Sequence, residues 1–277
     1  MTYRNILVFV DKSGASRLRV QAAVEIARRF GASLTGVFLK AEQIPAFIAG
    51  DAFSAVTAVE VFMEERTKLI AETSVAARAL FEDIARNAGI QFDWIETQGD
   101  DTGGIIACAR RHDLSILPVR MYVAGGVSDI DVASVAMAAG GPVLILPELG
   151  YAPTFGSKIL VAWKESRESA RALHDAWPFL AKASEVTFLS VGREAEADFD
   201  DMQLRNLAAH GCRTAKMVAD KNDERDTGDS IRLNAGMVGA DMMVLGLFGH
   251  SRLQELFLGG VSRNLLHDLT LPVLVSH

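Results

Sequence analysis

Short apolar runs alternate with longer amphipathic stretches along the whole chain. The runs Asn5–Val10 and Ser33–Leu39 are apolar nearly throughout and read as strands, while Ser16–Phe30 repeats its apolar positions at helical spacing and reads as a helix. The second half begins the same way, with a strand at Lys158–Trp163, a helix at Ser166–Leu180 and a strand at Glu185–Val191. ILVFVDKS in one half stands where ILVAWKES stands in the other. Further on, QGDDTGGIIACARRHDLSIL parallels NDERDTGDSIRLNAGMVGADMMVL, with Asp101-Thr102-Gly103 matching Asp226-Thr227-Gly228 and each opening a helix with a capping residue. Both halves close on a proline-led strand, GPVLILP at Gly141–Pro147 and LPVLVSH at Leu271–His277. This is the signature of an internal duplication.

Strands that are apolar throughout, separated by helices, predict a parallel sheet covered on both faces with right-handed crossovers. The expected class is therefore α/β: two tandem, doubly wound, five-stranded βαβαβαβαβ units. The first domain covers residues 1–149, the segment 150–157 (GYAPTFGS) is the linker, and the second domain covers 158–277. Offsets between matched positions shrink along the repeat, which places an insertion at about 40–80 in the first half. It combines a Pro- and Ala-containing loop with a helix over Val59–Asn87, and its apolar stretch Ile44–Phe53 could cover a vacant crevice or form an oligomer contact.

A chain of 277 residues suits two such domains, and 49% hydrophobic with 23% charged residues is globular composition. No apolar run reaches the roughly 18 residues that cross a bilayer. The opening MTYRNILVFVDKS meets charge too soon for a signal peptide, so a cytoplasmic protein is expected. A net charge of −7 opposes sequence-independent binding to nucleic acid or to a membrane surface but leaves room for a small basic pocket. Cys108 and Cys212 have no ligand partners at metal spacing and read as buried, reduced thiols.

Candidate chemistry concentrates in Gly246–Leu266, GLFGHSRLQELFLGGVSRNLL, where Gly246, Gly249 and Gly259 are spaced Gly-x2-Gly-x9-Gly. Such a loop brings bare amides close to an anion, and a helix from about Ser262 adds the positive end of its dipole. His250, Arg252, Ser262 and Arg263 are further donors, although three glycines also suit a tight turn into the last helix. No Gly-Lys-Ser/Thr follows, which excludes a Walker loop. Gly246 and Lys164 both fall at carboxyl ends of strands, where open sheets bind ligands. Lys164 reads either as a solvated charge or as a cation at the mouth of the site, favouring a phosphate. Asp11 reads as a ligand-orienting acceptor in the first half or as an N-cap of the helix starting near Ser13 or Ser16. Asp198, Asp200 and Asp201 complement a helix dipole and lack EF-hand spacing, so no metal is expected. Trp163 and Trp177 are expected between sheet and helix or between the halves. Nothing pairs a nucleophile with a base, so no catalytic residue is assigned and slow ATP cleavage is the most that enzyme chemistry could amount to.

Strand one followed by an acidic position and Ser, the helix and strand EIARRFGASLTGVFL, the Gly-x2-Gly-x9-Gly spacing and a last strand reading PVLV together resemble the universal stress protein family, as a tandem, UspA-like member. The resemblance implies a Rossmann-like, adenine nucleotide alpha hydrolase-like fold, with the two halves pairing through their last strands as an intrachain pseudo-dimer. It also implies a cytoplasmic stress-response regulator that forms homo-oligomers and binds ATP or a related adenine nucleotide, with or without Mg. The expected contacts are the backbone of Gly246, Gly249, Gly259, Gly260 and Val261, with Ser262, Lys164 and Arg252 near the phosphates. Three departures stand out. Gly260 occupies the place where nucleotide-binding members carry Ser or Thr, Lys164 occupies the acidic position of the second half, and the first half has PVRMYVAGGVSDIDVAS in place of the glycine spacing. The alternatives are a scaffold of the same fold that has lost nucleotide, or a weak ATPase.

Overall fold

The computed structural model describes residues 2–40, 52–98, 102–124, 126–128, 130–193, 195, 201–212, 215–221, 226–247 and 269–277, with side chains described for all of these except 52–60, 98 and 201. In the first half the elements run β1 (Asn5–Phe9), α1 (Ser16–Phe30), β2 (Ser33–Lys40), α2 (Ala52–Asn87), β3 (Phe92–Gln98), α3 (Thr102–Ala109) and β4 (Leu114–Pro118). A small hairpin of β5 (Tyr122–Val123) and β6 (Gly126–Val127) follows, then α4 (Val132–Ala138) and β7 (Val143–Leu146). The second half runs β8 (Lys158–Ala162), α5 (Arg167–Leu180), β9 (Glu185–Val191), α6 (Asp201–Ala209), β10 (Ala215–Asp220), α7 (Thr227–Val238), β11 (Met242–Gly246) and β12 (Val273–Ser276).

All strands but the small hairpin join one ten-stranded sheet in the order β10-β9-β8-β11-β12-β7-β4-β1-β2-β3. Helices on both faces explain why its central strands are apolar nearly throughout. On β1, Ile6 and Val8 point into the cluster built with α1, α2 and α5, whereas Leu7 and Phe9 point into the one built with α3, α4 and α7. Within each half the strands are parallel, and the halves meet where β7 and β12 pair antiparallel, with Leu144 opposite Leu274 and Ile145 opposite Val273, all buried. The expected intrachain pseudo-dimer is thus a continuous sheet, and its antiparallel seam sends the carboxyl ends of the two sets of strands to opposite edges.

Local signals end the elements where the sequence places them. Gly31 closes α1 in the left-handed region at φ 65° with its N–H on helix carbonyls, after Arg28 and Arg29 have placed positive charge at the helix's negative end. Arg29 reaches on to donate to the carbonyls of Phe155 and Gly156, at 2.9 and 3.2 Å, while Asp241 accepts the amides of Gly156, Ser157 and Lys158. That pair of charges fixes the path into β8. Beside it Tyr3 of the first half and Phe179 of the second each pack edge-to-face with Phe30.

The long helix departs from expectation by starting at Ala52 rather than Val59. No proline follows Pro45 in this stretch and the alanines of AFSAVTAVE favour helix, so nothing stops α2 from extending. The rest of the apolar stretch, 44–51, lies outside the described residues.

Glu96 on β3 ties α2 and β2 to that edge of the sheet by pairing with Lys40 and accepting from the Ser74 hydroxyl at 2.5 Å and the Trp94 indole at 3.2 Å. The Lys40 bond first and Ser74 second hold its carboxyl down at about 2 against the opposing effect of burial. A depressed carboxylate contributes stability that is full above its ordinary value, near 4.5, and is lost as pH falls from there toward 2. Thermal melts between pH 5 and 2 are therefore expected to show a steeper loss of Tm for the native chain than for Glu96→Gln. Equal slopes would show that the cross-link adds nothing.

Candidate functional site

In the second half the strand order reverses at β8, which has β9 on one side and β11 on the other, and in open sheets the place for a ligand crevice at such a reversal is beyond the carboxyl ends of the strands, here β8 and β11. Pairing of Leu245 with Ala162 sets Gly246 and Lys164 on the same edge. Gly246 is not needed for a positive φ. Its bare backbone lets the first turn of α5 come close: a Cβ there would lie 2.5 Å from the carbonyl carbon of Glu168 and 2.6 Å from the amide nitrogen of Ser169. The helix start is itself locked. Ser166 caps it by accepting the Ser169 N–H at 3.2 Å, and the buried Ser169 hydroxyl accepts the Lys164 N–H at 3.4 Å. Beyond this turn the Lys164 side chain is exposed. On the far side of β11, the Leu247 N–H donates to the Ser276 carbonyl at 2.8 Å and the His277 ring lies 2.9 Å from the Leu247 carbonyl.

Of the residues picked out by the sequence, Gly246 and Lys164 are brought together. Gly249, Arg252, Gly259, Gly260, Val261 and Ser262, with His250 and Arg263, lie outside the described residues. So do Asp198 and Asp200, and among the described residues no group of three or more His, Cys, Asp or Glu could hold a metal. Both cysteines are buried, and neither is joined in a disulfide. Trp163 packs edge-on to Phe188 of β9, and Trp177 is stacked between His174 and His210, at 6.3 and 4.1 Å.

Asp11 lies two residues past the end of β1 in the first half, and its carboxylate is engaged from within the chain. Oδ1 accepts the N–H and hydroxyl of Ser13 at 2.8 and 2.5 Å, and Oδ2 takes a 2.8 Å ion pair from Arg19. The pair is almost fully enclosed, Asp11 being 1% and Arg19 2% exposed, and the Arg19 Nε donates to the Phe9 carbonyl at 2.7 Å. The reading of Asp11 as a helix cap is corrected here: Ala15 holds the N-cap position of α1 with no side-chain bond, because the acid has turned inward to Arg19. The two halves share the bond from strand end to helix serine, Asp11 N–H to Ser16 hydroxyl matching Lys164 N–H to Ser169 hydroxyl. They differ three residues on, where α1 has Arg19 and α5 has the buried Ala172.

Sequence reading missed Arg19. The signal was there, because Arg19 lies on the inward stripe of α1 with Ser16, Val20, Ala23 and Ala27, where a lone cation needs a buried partner.

Residues 157–277 match the model of the Universal stress protein family. In structure the chain is similar to a universal stress protein from Archaeoglobus fulgidus DSM 4304, with a TM-score of 0.68 and 15% identity over 98% of this chain and 95% of that one. It is also similar to a functionally unknown protein from Pseudomonas aeruginosa PAO1, with a TM-score of 0.55 and 17% identity over 99% of this chain and 92% of that one. Likeness at these identities is a likeness of fold, and it runs through both halves. No curated protein matches the chain.

Proposed function

We propose that this chain, whose second half is a universal stress protein domain within a fold that extends over the whole chain, is a stress-response regulator that binds ATP or a related adenine nucleotide in the crevice of its second half. The observation that carries the reading is the juxtaposition of Gly246 and Lys164 on one edge of the crevice at the point where strand order reverses. In this reading the amides of Gly249, Gly259, Gly260 and Val261 receive the phosphates, Ser262 supplies a hydroxyl in place of the one that Gly260 lacks, and Lys164 and Arg252 neutralise charge. Domains of 1–149 and 158–277 about the linker 150–157 belong to the same proposal, as do a cytoplasmic location and a homo-oligomer. Among the described residues no helix is long and apolar enough to cross a membrane. Binding regulates by favouring one conformation, with at most slow hydrolysis.

One observation favours a second reading, a scaffold without nucleotide: close packing against α5 is by itself a sufficient reason for glycine at 246. Purification without added nucleotide, followed by denaturation and chromatography of the released ligand, separates the two, with calorimetry against ATP and magnesium as the complement. An adenine nucleotide is expected, and Lys164→Glu is expected to weaken binding about tenfold, which corresponds to roughly 1.4 kcal/mol. No released ligand and no heat at millimolar ATP would leave the scaffold.

A further inference from the structure

Strand order also reverses in the first half, between β1 and β4, so a second crevice of the same kind is expected beyond their carboxyl ends. The chain fills it with its own residues. After β4 ends at Pro118, Met121 and Val123 are buried in the same apolar cluster as Leu7 and Phe9 of β1 and Val37 and Leu39 of β2. β5 and β6 pair antiparallel, and the Ser128 N–H extends the pairing by donating to the Met121 carbonyl at 2.8 Å. The hairpin is tied down at two places along the edge. Lys12, just past β1, donates its ammonium to the Ala124 carbonyl at 3.2 Å, and the Tyr122 hydroxyl donates to the carboxylate of Glu148, just past β7, at 2.8 Å. Beneath it, Asp11 is engaged by Arg19 and Ser13.

We infer that the described residues between Met121 and Ser128 form a built-in strap that seals the first-half crevice, so that the chain takes one ligand rather than two and the first half is held closed whether or not that ligand is present. The strap does for the first half what a ligand would do for the second: it fills the crevice with apolar atoms and satisfies the polar groups at its rim. At the matched edge of the second half Lys164 is exposed and Ala172 stands in the place of Arg19, so the ion pair beside the strap has no counterpart in the described residues there, and the segment that follows β11, 248–268, lies outside the described residues. The count of one ligand rests on the nucleotide reading above, while the seal itself does not.

Amide hydrogen exchange on the full chain without nucleotide tests the seal. The amides of Val123 and Ser128, which the hairpin register places in its hydrogen-bonded pairs, are expected to exchange at least about 100-fold more slowly than in an unstructured peptide, and unprotected amides would overturn it. Thiol labelling of Val123→Cys gives a second reading. Its rate is expected to match that of the buried Cys108 and Cys212, and labelling as fast as that of a free thiol would overturn the seal. Calorimetry with ATP and magnesium then counts sites. One per chain is expected, and two would overturn the proposal. No binding to a chain whose strap amides are protected would support the seal and remove the nucleotide reading instead.

Discussion

Replacing Arg19 with leucine is expected to destabilise the folded chain by about 3–5 kcal/mol, among the larger effects a single substitution can have. The guanidinium stands 2.8 Å from Asp11 in a place where neither side chain meets water to any extent, 2% and 1% exposed. With Arg19 removed, the Asp11 carboxylate keeps its Ser13 bonds but loses its only cation among the described residues, and the Phe9 carbonyl loses the Nε donor. The cost comes from the charge left behind rather than from the worth of the pair, since a buried ion pair replaced whole is often neutral. A double variant, Arg19→Leu with Asp11→Ala, is therefore expected to regain more than half of what the single variant loses. Urea unfolding of the three proteins measures this, and a single-variant loss below about 1 kcal/mol would mean that water reaches Asp11.

That pair also shows where sequence reading stops. The strands were legible because a sheet buried on both faces leaves few polar positions on its central strands, so Asn5–Phe9 and Lys158–Ala162 stand out as matching, largely apolar runs. Helix ends were legible where one residue type has one use, as at Gly31. Asp11 and Arg19 lie eight residues apart across a strand-to-helix turn, and no periodicity links them, so each was read alone. The strap escaped for a related reason. Its strands, Tyr122–Val123 and Gly126–Val127, are too short to show alternation, and what holds them is contact with Lys12 and Glu148, distant in sequence. The glycine spacing gave a site hypothesis, and Lys164 and Gly246 do share an edge, but why glycine is needed at 246 depends on the approach of α5.

Gly246→Ala isolates that last contact and is expected to cost about 3 kcal/mol, at the upper end of the range for overpacking a core. The added methyl would fall 2.5–2.7 Å from the Glu168 carbonyl group and the Ser169 nitrogen, and these are backbone atoms that cannot swing aside as a side-chain tip could. Either β11 or the start of α5 must move by about 1 Å to restore an ordinary contact of about 3.5 Å. The more yielding of the two is the helix start, because β11 is held in the sheet by β8 on one side and β12 on the other. Displacing α5 strains the Ser166 cap and the bond from Lys164 to Ser169, so stability and the position of Lys164 change together. Nucleotide affinity, where present, is expected to fall in the same variant. Gly236→Ala is the matched control: it lies inside α7 with open space around its would-be Cβ, and it is expected to stabilise by about 0.5–1 kcal/mol. Thermal melts of the two variants should therefore shift in opposite directions. If Gly246→Ala melts with the native chain, α5 does not press on β11 as described, and the glycine at 246 is then free to serve a ligand alone.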